Sequence, residues 1–105
     1  MRPIPVALRK RLSEDPFMKR CIREGNCSGR ITWEHAFMYQ NRQINEAFAI
    51  VPLCEKHHFH DLDKDYGRYI GLLRATPEEL ARYPKVDWKQ KLEYLKTIYE
   101  PHLDR

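Results

Sequence analysis

The sequence predicts a small single α+β domain, because two strand-forming runs come first and helical periodicity takes over after them, all within 105 residues. Ile31 to Met38 is rich in β-branched and aromatic residues, and Ala47 to Leu53 is a short apolar run. Both read as strands of one hairpin, with the polar segment Tyr39 to Glu46 as the loop between them. From about Cys54 the pattern turns helical: Leu62, Tyr66, Tyr69, Ile70 and Leu73 recur at three- and four-residue spacing.

Flanking elements follow from local signals. Pro5 to Leu12 is a short helix candidate, closed by a turn at Ser13-Glu14-Asp15-Pro16. Thr76-Pro77-Glu78-Glu79 carries a capping-box signature, with proline at the first helical position. A last helix follows Asp87, with Trp88, Leu92, Leu95 and Tyr99 on one stripe until Pro101. Trp33, Phe37, Phe48, Tyr66, Tyr69, Trp88 and Tyr99 suit core positions. The expected architecture is a strand-strand-helix centre wrapped by terminal helices, with no linker that would divide residues 1–105.

A domain of this length buries only a modest share of its surface, so a covalent or metal staple would help it. Three cysteines, an odd number, favour metal ligation over disulfides in a reducing compartment. Cys21 and Cys27 enclose a Gly/Asn-containing knuckle, and Cys54-Glu55-Lys56-His57 puts a cysteine and a histidine on one side of a helix start. Cys21, Cys27, Cys54 and His57 together make a Cys3His set suited to structural Zn2+. His58 and His60 lie near enough to compete with His57 for the fourth position, and buried apolar cysteines are the plainer alternative.

Charge is unevenly spread. Residues 1–45 hold 9 Lys/Arg against 4 Asp/Glu, whereas residues 46–105 hold 10 against 11, for a net of +4. Such an amino-terminal excess suits either a polyanion-facing region or a solvated basic face. Arg20, Arg23, Arg30 and Arg42 are the candidates for phosphate contact. The opening MRPIPVALRKRL contains no small-residue cleavage site, and no segment approaches the ~20 apolar residues of a membrane span. An intracellular, cytoplasmic protein with no membrane partner is the expectation.

The order Cys21…Cys27, Trp33-Glu34-His35, Leu53-Cys54-Glu55-Lys56-His57-His58 resembles the zinc-containing branch of the HNH endonucleases. The resemblance covers roughly residues 18–72. It implies a ββα-metal core (the HNH or His-Me finger arrangement) there, C-terminal helices over 73–105, and metal-dependent hydrolysis of DNA leaving 5′-phosphate and 3′-hydroxyl ends. Carried over, His35 would be the general base, and Glu34 and His58 would hold a catalytic Mg2+ or Mn2+. Such chemistry needs an activated water and a counter-charge, which one histidine and one Lewis-acidic ion can supply. Ala49 occupies the family's usual asparagine position, leaving Asn45 or Asn41 as its replacement, with His60 and Asp61 as spare candidates on the following helix.

Neighbouring strand residues point to opposite faces, so Glu34 and His35 can share a site only at a strand end or bulge. Double-stranded or branched DNA is the expected partner of a monomer or dimer, with low sequence specificity and a role in phage-type recombination, repair or packaging. The competing readings are a non-catalytic zinc module binding nucleic acid or protein, and an interaction protein whose terminal helices dock on a larger enzyme.

Overall fold

In the computed structural model the description covers residues 4–23, 25, 27–58 and 61–100, with the side chains of residues 61–64 left aside. His60 therefore lies outside the described residues, as does the side chain of Asp61.

The amino-terminal segment forms helix α1, Val6–Ser13, followed by a 3-10 turn at Pro16–Lys19 that the Asp15 carboxylate caps through the Phe17 N–H at 2.9 Å. Leu12 on α1 and Met18 on the turn are buried together with Ile50, and Trp33 packs on them. Strand β1, Ile31–His35, pairs antiparallel with β4, Ile50–Cys54, in the register Ile31↔Cys54 through His35↔Ile50. Every residue of β4 is buried, which explains a run of apolar residues without alternation.

The expected strand from Ile31 to Met38 is two strands. β1 stops at His35; Ala36 and Phe37 drop into the core, and Met38–Tyr39 (β2) pairs with Arg42–Gln43 (β3) in a separate two-stranded sheet. The turn at the core has a cause: Phe37, Phe48 and Trp88 form an aromatic cluster with ring centroids 5.5–5.7 Å apart. A straight strand would carry Phe37 away from it. Arg68 Nε holds the Ala36 carbonyl at 2.9 Å, fixing the bend. The segment expected to be a loop thus contains a small hairpin.

The second expected strand also changes at its start. Ala47–Ala49 is a 3-10 turn that drives Phe48 into the core, and its Phe48 N–H donates to the Glu79 carboxylate at 3.3 Å. Helices α2 (Glu55–His58), α3 (Asp61–Arg74), α4 (Pro77–Ala81) and α5 (Trp88–Tyr99) complete the chain. The predicted capping box opens α4: Thr76 Oγ1 accepts from Glu79 N–H at 3.2 Å, and the Glu79 carboxylate accepts from Thr76 N–H at 2.9 Å. Asp87 caps α5 through Gln90 N–H at 3.0 Å. At Gly71, α3 runs so close to the 3-10 turn that an added Cβ would lie 2.3 Å from the Phe48 carbonyl oxygen.

The result is a small compact α+β domain with two antiparallel sheets and several helices. The aromatic residues expected in the core are there: Phe37, Phe48, Tyr69 and Trp88 are buried, Tyr66 and Tyr99 are partly buried against them, and Trp33 is partly buried against Leu12, Met18 and Ile50. Among the described residues, no helix is long and apolar enough to cross a membrane.

Candidate metal centre

The knuckle, the end of β4 and the first turn of α2 meet at one point. Ile22 N–H donates to the Pro52 carbonyl at 3.1 Å, Glu55 N–H to Arg30 at 3.0 Å and Lys56 N–H to Ser28 at 3.2 Å. These bonds pin the knuckle onto the strand-to-helix junction. Gly29 makes the close approach possible: its φ is +85°, and a Cβ there would collide with the Glu55 side chain at 2.6 Å.

Cys21, Cys27, Cys54 and His57 converge there, their ligand atoms all within 4.8 Å of one another. His57 Nδ1 lies 3.3 Å from Cys21 Sγ, 3.7 Å from Cys27 Sγ and 3.2 Å from Cys54 Sγ. A tetrahedral ion with metal–sulfur bonds of ~2.3 Å and metal–nitrogen bonds of ~2.0–2.1 Å requires N···S edges of about 3.5 Å. The measured edges straddle that value. This donor set can hold a metal ion such as zinc, and among the described residues His57, rather than His58, completes it.

The thiols are prepared unequally. Burial pushes the Cys54 thiol up, but hydrogen bonds from the backbone N–H groups of His57 and Ser28, and from the other two thiols, outweigh it and bring it down to about 6. Cys27 is pushed up to about 11 by desolvation among its neighbours and by the hydrogen bonds and repulsion of Cys21 and Cys54. Cys54 is therefore more readily ionised than Cys27, from which a bound cation would displace the proton.

On the face of β1 toward α2 lies a second pair. Glu34 Oε2 is 3.2 Å from His58 Nε2, with the two side chains 18% and 28% exposed. Thr32, two residues before Glu34 and so on the same face, donates its hydroxyl proton to the Leu53 carbonyl at 2.8 Å and lies 2.9 Å from His58 Nδ1. A hydroxyl with its only proton spent on Leu53 meets Nδ1 as an acceptor, so Nδ1 carries the imidazole proton. In that tautomer Nε2 faces the carboxylate at 3.2 Å with a lone pair, an arrangement in which the two could share a cation. Thr32 was not singled out in the sequence; its signal is the two-residue spacing from Glu34.

His35 is the last residue of β1, and its ring turns to Asn45, with Nε2 2.8 Å from Asn45 Oδ1. It makes no hydrogen bond to Glu34 or His58. Of the two asparagines considered, Asn45 is the one that reaches His35, whereas Asn41 sits at the exposed tip of the β2–β3 hairpin. Ala49 is fully buried, its carbonyl accepting from Ala36 N–H at 2.7 Å.

The four arginines diverge. Arg20 is exposed beside Cys21, Arg23 lies over the Tyr66 ring at 4.7 Å, Arg30 is 93% exposed with Nε 3.6 Å from Glu55, and Arg42 is exposed on β3. Comparison of this chain with protein-family models, curated proteins and solved structures finds no match. Fold and site thus define a small α+β domain with a Cys3His cluster that could hold a metal ion.

Proposed function

We propose that the chain is a metal-dependent endonuclease of the HNH type, hydrolysing DNA phosphodiester bonds, with β1, β4 and the following helix as its ββα-metal core. The observation that carries the reading is the Glu34–His58 pair at 3.2 Å, whose facing acceptors suit a cation. In this reading Cys21, Cys27, Cys54 and His57 hold a structural zinc that fixes the start of α2, and so the position of His58. Glu34 and His58 would hold Mg2+ or Mn2+, ions that need few protein ligands. When bound, that ion supplies Lewis-acid stabilisation of the charge developing on the phosphate and leaving oxygens.

His35 is the general base. Asn45 Oδ1 accepts from Nε2–H, leaving Nδ1 as the basic nitrogen to take a proton from the attacking water. Thr32 accepts from Nδ1–H of the other histidine, which turns the His58 Nε2 lone pair toward the ion. Exposed arginines, Arg20 among them, contribute phosphate contacts that depend on salt rather than sequence.

The test is cleavage of plasmid DNA by zinc-loaded protein with magnesium or manganese, beside His35→Ala and Glu34→Gln. Wild type should nick or cut the plasmid. His35→Ala should lose about 100-fold or more, the usual worth of a general base. Glu34→Gln should require much more metal for the same rate, with zinc content unchanged in both variants. Wild type and His35→Ala binding DNA while equally inert would make the chain a non-catalytic zinc module.

A further inference from the structure

The chain leaves β1 after His35 and returns at Asn45 through the β2–β3 ribbon, in which Met38 pairs with Gln43 and Tyr39 with Arg42. Two residues join the strands, Gln40 at φ +50° and Asn41 at φ +66°. Consecutive left-handed residues are what the twist of a two-residue hairpin demands, and glycine or Asn-Gly meets that demand at least cost. Asparagine tolerates the conformation; glutamine pays the Cβ clash without the compensating local hydrogen bond of a shorter side chain. This turn therefore keeps a glutamine where folding alone favours a smaller residue.

Gln40, Asn41 and Arg42 are all exposed, and their side chains make no hydrogen bond or ion pair with other described residues. The ribbon that carries them is nevertheless firmly braced. Tyr39 packs edge-on against Tyr83 at 5.1 Å, and the Tyr83 hydroxyl donates to Glu46 at 3.0 Å. Arg82 holds the same carboxylate at 2.6 Å, and buried Ile44 donates its N–H to the Phe37 carbonyl at 3.1 Å across the base of the ribbon. Two carboxamides and a guanidinium are thus presented on a rigid support, uncommitted to the fold.

Their placement suggests the occupant. The ribbon's base at Phe37 and Ile44 is next in the chain but one to His35 and adjacent to Asn45, and the three residue steps from Phe37 to Gln40, at ~3.3 Å each, put its tip about 10 Å from that base. A B-form major groove is ~12 Å wide and admits a two-stranded ribbon, whereas the deep, narrow major groove of A-form RNA does not. Asn and Gln carboxamides pair with adenine N6 and N7, and arginine with guanine O6 and N7. We infer that the β2–β3 ribbon enters the DNA major groove beside the bond that is cut, and that Gln40, Asn41 and Arg42 read purine edges there. This rests on the nuclease reading for the position of the cut. It replaces low sequence specificity with a local preference.

The test selects duplexes from a library with a randomised centre, using zinc-loaded full chain carrying His35→Ala and no added magnesium or manganese. That protein is compared with the same chain carrying Gln40→Gly with Asn41→Gly, or Arg42→Ala. The first change relieves the turn, so its melting temperature should hold or rise while selection for adenine falls about tenfold. Arg42→Ala should relax selection at one guanine position by a similar factor, and an RNA duplex of the selected sequence should not compete. Identical selected sequences from parent and variants, or no sequence selected by the parent, would overturn the inference. Separately, wild-type protein that selects a sequence but never cleaves it overturns the nuclease reading and leaves ribbon readout standing.

Discussion

His35 and Asn45 stand ten residues apart in the chain and 2.8 Å apart in space, because the β2–β3 ribbon folds out between them and returns the chain to the end of β1. The contact orients an imidazole at a strand end, where no neighbour on the strand itself could do so. On the proposed nuclease reading, Asn45 is accordingly a positioning residue.

Replacing it separates positioning from base chemistry. Asn45→Ala should slow cleavage about tenfold or more, with zinc content and melting temperature near wild type, since an outer partner of a functional histidine is commonly worth that much. Asn45→Asp keeps an acceptor and should retain more activity. Its negative charge favours the imidazolium, so His35 stays protonated to higher pH and the acidic limb of the pH–rate profile should move upward. A profile that does not move in Asn45→Asp would show that the two residues are not coupled during turnover.

Removal of the metal is expected to unfold the domain rather than loosen one corner of it. A structural zinc contributes about 10–16 kcal/mol in small zinc-finger peptides, comparable to or larger than the whole stability of an ordinary domain, ~5–15 kcal/mol. A strong chelator should abolish near-ultraviolet circular dichroism, and added zinc should restore it. Cys54→Ser should cost more zinc affinity than Cys27→Ser, because Cys54 is buried and already ionised near neutral pH, whereas water can replace a ligand at exposed Cys27. Competition with a zinc indicator measures both; equal losses would contradict this ranking.

The Cys3His set was legible because metal ligation constrains residue type and spacing together, and the helices were legible because their apolar stripes and caps are local. What was hidden is tertiary. The break at Ala36 depends on Phe37 finding Phe48 and Trp88, and on Arg68 far along the chain capturing one carbonyl. Glu79 was visible as half of a capping box, but not as the acceptor that holds the Phe48 turn. The hairpin inside the expected loop was missed for another reason: its turn uses Gln40-Asn41 instead of a glycine pair, so the usual sequence signal is absent. Asn45 could be shortlisted from a resemblance, yet only the folded ribbon brings it to His35.

Gly71→Ala offers a test of the α3 packing in which the sign of the effect matters. In an exposed helix interior this change stabilises by about 1 kcal/mol. Here the new methyl group would meet the Phe48 carbonyl, backbone that is itself fixed by Glu79. The expected result is destabilisation of ~1–3 kcal/mol by overpacking, read as a lower urea midpoint with an unchanged slope. Stabilisation would mean that α3 can shift away from the turn.

Tyr69 provides the alkaline counterpart. It is buried between Tyr66 and Tyr99, and its hydroxyl donates to the Glu100 carboxylate. Burial first, then the hydrogen bond and negative charge of Glu100, push its pKa from 10.0 up to about 12. Below pH 10 the hydroxyl is protonated in both folded and unfolded chains, so its stabilisation is fully present. Between pH 10 and about 12 unfolded chains release the proton while folded chains retain it, and stability falls as pH rises. The urea midpoint of wild type should therefore drop more steeply from pH 9.5 to 11.5 than that of Tyr69→Phe, narrowing or reversing the gap between them. Parallel declines would remove the Tyr69–Glu100 bond as the cause.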